Sequence, residues 1–169
     1  TVGYLTEAAN TVGAQWMGAM PAKDGKNAGQ MLAGGMKAVL LLNTEPQWDS
    51  ALGAAAAQTL AQSEMVITLS PFKANMEFSD VLLPIAPFTE TSGSFVNAEG
   101  LLQSFHAVVK PLAEARPGWK VLRVLGNLLD IAGFEFQTSQ DVLARATNTL
   151  AGEVISVPVA LLNNTAAAV

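Results

Sequence analysis

The chain has 169 residues, half of them hydrophobic, with nine Lys and Arg against fourteen Asp and Glu for a net charge of -5, and it contains no cysteine. That is enough for one ordinary α/β domain with a real core and too little for a second full domain. The cations are scattered singly, which excludes the clustered basic stripe that nucleic acid requires, and the absence of thiols excludes disulfides, thiolate zinc sites and Cys-ligated iron–sulfur clusters within this chain.

The longest apolar runs, such as Ala38 to Leu42 and Val81 to Leu83, fall far short of the roughly 20 residues of a membrane helix. Opening at Thr1, without a basic region leading into an apolar one, the chain reads as an excised piece or a processed product. From Leu5 to Met20 the spacing fits a helix or a loop leading into one. Gly25 to Gly35 is rich in glycine and small residues. Lys37-Ala-Val-Leu-Leu-Leu42 then reads as a strand buried on both faces, as in a parallel sheet.

The strand ends at Asn43-Thr-Glu-Pro46, and a helix is expected from Ala51 to about Gln62 with Asp49 or Ser50 as its N-cap. Glu64-Met-Val-Ile-Thr-Leu69 is the next strand, stopped by Ser70-Pro71, so strand, helix and strand form one βαβ unit. After a turn that includes a helical Lys73 to Phe78, Asp80-Val-Leu-Leu-Pro-Ile85 continues the parallel sheet, with Pro84 placing its end near an edge or a strand terminus. From Pro87 to Pro111 irregular or hairpin structure is expected, with Asn97-Ala-Glu-Gly100 as a turn and positive φ at Gly93 and Gly100. Pro117 starts an amphipathic helix with Trp119, Leu122, Val124, Leu125, Leu128 and Leu129 on its stripe, closed by Gly133. A further helix begins after Thr138 or Ser139 and runs to about Leu150, and residues 151 to 169 read as a frayed tail.

The chemistry-bearing residues are sparse. His106 stands without cysteine or a carboxylate cluster and reads as an ordinary polar residue. Ser94, His106 and an aspartate could be assembled on paper into a triad, but no nucleophile elbow supports hydrolysis. Glu90 and Glu99 bracket a glycine-containing turn; paired acids can do acid–base work, yet capping of backbone N–H groups is the stronger reading. Gly25, Gly29, Gly34 and Gly35 precede the first strand, where a phosphate loop should follow it, and so do not make a dinucleotide fingerprint. Trp16, Trp48 and Trp119 read as core or boundary residues before interface anchors.

The run Ser79-Asp-Val-Leu-Leu-Pro-Ile-Ala-Pro-Phe-Thr-Glu-Thr-Ser-Gly-Ser-Phe-Val-Asn-Ala-Glu-Gly-Leu-Leu-Gln103 resembles a long, specific stretch of the molybdopterin-oxidoreductase family. The matching positions are Asp80, Pro84, Glu90, Gly93, Asn97, Glu99, Gly100 and Gln103. The Arg that this family carries after Glu-Gly is Leu101 here, which removes a guanidinium fork suited to phosphate or carboxylate. Val109-Lys-Pro-Leu, Ala115-Arg-Pro-Gly-Trp through Leu129, Thr6-Glu-Ala-Ala-Asn-Thr-Val-Gly13 and Leu40-Leu-Leu-Asn-Thr-Glu-Pro46 are more similar to the G-subunit branch of proton-pumping NADH-quinone oxidoreductases than to a true molybdoenzyme.

That resemblance covers roughly residues 1 to 150 and implies a partial α/β domain of the formate dehydrogenase and DMSO reductase type, three-layered, with a mostly parallel sheet flanked by helices. It implies a peripheral-arm location on the cytoplasmic side of a bacterial inner membrane, iron–sulfur clusters elsewhere in the parent subunit, and none here. The expected partners are other parts of that subunit and neighbouring subunits of respiratory complex I. The motif residues Asp80, Glu90, Gly93, Asn97, Glu99, Gly100 and Gln103 are then a vestigial cofactor-binding signature, with no catalytic residue and no metal. The alternatives are a pterin- or nucleotide-binding crevice at the carboxyl ends of the strands, near Asn43 to Pro46, Ser70 and Glu90 to Gly93, and a regulatory domain for a small anion.

Overall fold

The computed structural model describes residue 6 and residues 8–150; the expected tail at 151–169 lies outside the described residues. The described residues form two compact units, one made of 21–92 and 106–135, the other of those up to Met20, 93–105 and 136–150.

The first of these is built on a three-stranded parallel sheet, β1 (Ala38–Leu42), β2 (Met65–Ser70) and β3 (Val81–Pro84), in the order β1-β2-β3. Its register sets Leu40 beside Ile67 and Ile67 beside Val81, so Ala38, Leu40, Leu42, Met65, Ile67, Leu69, Val81 and Leu83 share one face. Val39, Leu41, Val66 and Thr68 share the other. The core lies on this second face, where Leu41, Val66 and Leu60 are buried together with Leu32, Val39 and Phe78 packed against them.

The expectation of strands buried on both faces is corrected by the first face: Leu40, Leu42, Met65, Val81 and Leu83 are exposed, and only the central Leu69 is fully covered. All eight residues are apolar, as a doubly covered parallel strand demands, but the cover among the described residues is incomplete. Pro84 sits at the end of edge strand β3, where its missing N–H interrupts no ladder.

The helix expected from Ala51 to about Gln62 starts later and ends sooner, and a separate short helix precedes it. Helix α1 (Thr11–Trp16) belongs to the other unit; α2 (Ala28–Leu32), inside the glycine-rich stretch, carries a capping box between Asn27 and Gln30 that the composition concealed. Then α3 (Pro46–Asp49) opens on Pro46 at its first turn, and α4 (Ala54–Leu60) starts after Gly53 at φ 54. Asp49 does not cap a helix ahead of it. It reaches back, its Oδ2 accepting from Glu45 N at 2.7 Å and from the Thr44 hydroxyl at 3.3 Å. Gly53 breaks the helical run because its left-handed conformation turns the chain before α4 can begin.

Between β2 and β3 the expected helix at Lys73 to Phe78 is a series of turns, closed by Met76 N to Lys73 O and Phe78 N to Asn75 O. Asn75 is buried in these turns with its Nδ2 donating to Thr44 O at 2.9 Å, which ties the loop after β2 to the loop after β1 and favours turns over a helix. Helix α5 (Gly118–Leu128) ends before Gly133: Asp130 adopts φ 54, and Ile131 N donates to Gly126 O. A Cβ at Gly126 would run into the Phe134 ring, so the returning chain packs on the helix and ends it early.

In the other unit β4 (Gly93–Val96) and β5 (Leu102–Phe105) form an antiparallel hairpin, with Phe95 and Phe105 ring centroids 5.5 Å apart. Asn10 Oδ1, at the start of α1, accepts from Val96 N at 2.8 Å. Helix α6 (Ser139–Leu150) opens on reciprocal bonds: Asp141 Oδ2 accepts from Thr138 N and Gln137 N, and Thr138 Oγ1 accepts from Asp141 N.

Two predictions follow from these contacts. Asp80 Oδ2 accepts from Val66 N at 2.7 Å while Asp80 N donates to Val66 O at 2.9 Å, so one residue satisfies both backbone groups of a buried strand residue. Replacing Asp80 by Ala strands a buried N–H and is expected to lower stability by about 1–3 kcal/mol in denaturant titration, with Asp80→Asn, which keeps an acceptor, losing less. At α6, donation from the Thr138 N–H first, then the Gln137 N–H and the Thr138 side chain, holds the Asp141 carboxyl below the usual carboxylate range. Its folded pKa lies below its unfolded one, so the contribution is complete above about pH 4 and is lost as pH falls through the folded value. The protection factors of amides at the start of α6, exchange rates corrected for the intrinsic pH dependence, are expected to be constant near neutrality and to fall in acid; Asp141→Asn should abolish that acid dependence.

Candidate functional site

Two places compete for function: the motif run between Asp80 and Gln103, and the carboxyl ends of the parallel strands, where open α/β sheets place ligands.

The motif residues divide between the two units, and three of them, Asp80, Glu90 and Asn97, hold backbone N–H groups through their side chains. Asp80 brackets Val66, as above. Glu90 ends a 3-10 turn at Phe88–Glu90, and its Oε2 accepts from Leu112 N at 3.0 Å, which with Val108 N donating to Thr89 O fastens the exposed 106–116 segment. In the hairpin unit, Asn97 Oδ1 accepts from Glu99 N at 3.0 Å and Leu101 N at 2.9 Å, shaping the turn between β4 and β5. Gly100 has φ 83, and Trp16 lies 3.5 Å from where its Cβ would be. Gly93, expected at positive φ, is instead an ordinary strand residue; its role is space, since a Cβ there would come 2.6 Å from Phe105 Cζ. Gln103 is an exposed strand residue paired with Phe95, and Leu101 is 56% exposed beside the turn.

Glu90 and Glu99 fall in different compact units, and Glu90 is the one whose carboxylate has a backbone N–H partner. The Ser94 hydroxyl meets Ser104 Oγ at 2.8 Å across the hairpin, and His106 is exposed. Among the described residues no group of three or more His, Asp or Glu could hold a metal ion, and no helix is long and apolar enough to cross a membrane. Trp16 and Trp119 are half-buried, whereas Trp48 is 72% exposed on α3.

At the strand ends the polar groups are turned upon the protein itself. Asn43, at φ 49, donates its N–H to Leu69 O; Ser70 Oγ accepts from Phe72 N at 3.0 Å; Thr44 and Glu45 both donate to Asp49. One atom is left over: Asn75 Oδ1, buried and facing no donor among the described residues. It is an acceptor and suits an N–H or O–H group, not a phosphate. The charged residues in the loops after β1 and β2 are Glu45, Asp49, Lys73, Glu77 and Asp80, a net negative set. Sequence reasoning missed Asn75 because a lone Asn in an expected helix gives no signal; its distance from Thr44 in the chain hides the tie.

Compared with known proteins, residues 1–128 match the molybdopterin oxidoreductase family model. A formate dehydrogenase-like protein of Staphylococcus aureus is 36% identical over 80 residues, covering 44% of this chain and 8% of that protein. A protein of Bacillus subtilis described as an oxidoreductase is 36% identical over 70 residues, 41% of this chain and 7% of its own length. The mitochondrial 78 kDa subunit of NADH-ubiquinone oxidoreductase of Candida albicans is 43% identical over 53 residues, 31% of this chain and 7% of that subunit. The chain therefore spans less than a tenth of the length of these curated relatives in each match. The matched span takes in the parallel sheet, the bracketing Asp80 and the Asn97 turn, and the chain belongs to the molybdopterin oxidoreductase family.

Proposed function

We propose that this chain is a scaffold segment of a G-type large subunit of NADH-quinone oxidoreductase. In that role it supports electron transfer from NADH to quinone in the peripheral arm of respiratory complex I, on the cytoplasmic side of a bacterial inner membrane, without a redox centre of its own. The iron–sulfur clusters belong to other parts of the parent subunit, which also complete the three-layered sheet.

The observation that carries this reading is the donor set at the strand ends. A pyrophosphate-linked pterin needs convergent N–H donors and cations, whereas the loops after β1 and β2 carry four carboxylates against Lys73, and the N–H groups of Asn43, Glu45 and Phe72 are already bonded within the protein. The residues present do not fit that cofactor. Leu101, where the family resemblance leads one to expect Arg, points the same way, and so does the 43% identity to a complex I subunit.

A second reading, a retained pterin- or nucleotide-binding crevice, is favoured by one atom, the buried Asn75 Oδ1, and by the formate dehydrogenase-like relatives. An amino group of a heterocycle would satisfy that oxygen.

The protein tagged in its own cells is expected to migrate on a native gel with a particle that oxidises NADH and reduces quinone, and to carry no molybdenum by elemental analysis. Migration with a molybdenum-containing, formate-oxidising particle would overturn the scaffold reading. Thermal-shift titration with guanine dinucleotide, pterins and NADH should leave the native chain unmoved; a ligand at a hundredfold excess over its dissociation constant would stabilise by about 2.7 kcal/mol. A shift confined to the Leu101→Arg variant would locate the loss of binding at that position.

A further inference from the structure

Residues 17–26, Met-Gly-Ala-Met-Pro-Ala-Lys-Asp-Gly-Lys, join α1 to α2 and are the longest unbroken exposed run among the described residues, with neither helix nor strand in it. Their hydrogen bonds are all local. Met17, Gly18 and Ala19 donate back to carbonyls of α1, Met20 N donates to Gly18 O, and Gly25 N donates to Ala22 O at 2.8 Å. Among the described residues no bond ties the run to the sheet, the hairpin or a later helix. The turn closed by that last bond holds Asp24 at φ 75, a left-handed conformation that a side chain disfavours. Lys23 and Lys26, on either side of it, have no ion pair or hydrogen-bond partner for their side chains among the described residues.

A protease binds its substrate as an extended strand, so a bond is cut only where several residues on each side can leave the body of the protein together. In 17–26 that departure breaks one turn bond and the fraying end of α1, and it releases Asp24 from its left-handed state.

We infer that this run is a cleavage site for a serine protease of trypsin-type specificity, one that seats Lys or Arg ahead of the cut bond, and that the chain is severed first at Lys23–Asp24 or Lys26–Asn27. Hydrolysis adds one water across the amide, leaving a carboxylate on the lysine and an ammonium on the residue after it. The other seven cations are each withheld by a particular contact. Lys110 and Arg116 precede Pro111 and Pro117, whose rings remove the N–H and restrict the residue before the bond. Lys120 and Arg123 lie inside α5 and Arg145 inside α6. Lys37 opens β1 with its carbonyl accepting from Met65 N, and the Lys73 carbonyl accepts from Met76 N. The segment 106–116 is exposed as well, but Val108 N on Thr89 O and Leu112 N on Glu90 Oε2 fasten it to a distant part of the chain. Residues 1–16 and 151–169 contain neither Lys nor Arg, so neither end competes.

The test digests the full chain under native conditions with a trace of trypsin and, separately, of subtilisin, whose broad specificity reads the looseness of the backbone alone; mass spectrometry identifies the fragments over time. Trypsin is expected to release residues 1–23 or 1–26 at least tenfold faster than it cuts at any other cation, and subtilisin to cut within 17–26 before it cuts within 106–116. The Lys23→Gln, Lys26→Gln double variant should lengthen the life of the intact chain in trypsin at least tenfold while subtilisin still cuts 17–26 at the parent's rate, which separates loss of the recognised side chain from a tightened fold. A first tryptic cut at any of the other seven cations would overturn the inference. So would subtilisin entering 106–116 ahead of 17–26, or a double variant that trypsin severs as fast as the parent.

Discussion

The larger compact unit depends on one constraint: a parallel sheet must bury both faces, and the described residues of this one cover one face and only part of the other. On the covered side Leu41, Leu60 and Val66 close a small core, and the sheet is pinned there by polar contacts where apolar volume is short. Asp80 takes both backbone groups of Val66, and Thr68, fully buried, meets the Ser79 hydroxyl at 2.7 Å. Both anchors lie where the chain enters β3, so the register of the edge strand is fixed before its first hydrophobic residue. A register slip by one residue would turn the apolar set of β3 to the wrong face, and the paired bonds of Asp80 are what oppose it.

The motif that marks the family is largely a description of how the backbone is held. Asp80 brackets a strand, Asn97 closes a hairpin turn, Gly100 supplies its left-handed residue, Gly93 makes room for a phenyl ring, and Glu90 fastens a loop. Each of these is required by the fold whether or not a ligand is bound. A motif of this kind reports architecture, and function has to be argued from groups outside it.

The strands were legible because short apolar runs bounded by Asn-Thr-Glu-Pro and Ser-Pro leave few other structures, and the hairpin because Asn97-Ala-Glu-Gly100 is turn chemistry. Helix α5 was legible from its stripe. What could not be read was set by contacts distant in sequence. The tie from Asn75 to Thr44 spans 31 residues and replaces a helix by turns; the Phe134 ring against Gly126 ends α5 ahead of Gly133. Gly93 carries no mark in the sequence to distinguish a glycine that needs φ above zero from one that needs space. The incomplete cover of the sheet was illegible in a different way, since β1 reads as doubly buried and its residues are suited to that state.

Fold and cofactor binding can part company in this family because they draw on different atoms. The bonds that hold Asp80, Asn97 and Glu90 are made to backbone N–H groups, which every residue but proline supplies. A phosphate seat needs cations and free N–H donors at the strand ends, and those positions here hold Glu45, Asp49 and a serine whose oxygen is already engaged by Phe72 N. The Asn97 turn likewise asks nothing of the side chain at position 101: Leu101 is solvent-facing, and the donors to Asn97 Oδ1 are the main-chain N–H groups of Glu99 and of Leu101 itself. The sheet and its polar brackets therefore stand independently of the strand ends, where acidic residues and an engaged serine occupy the positions a phosphate seat would need.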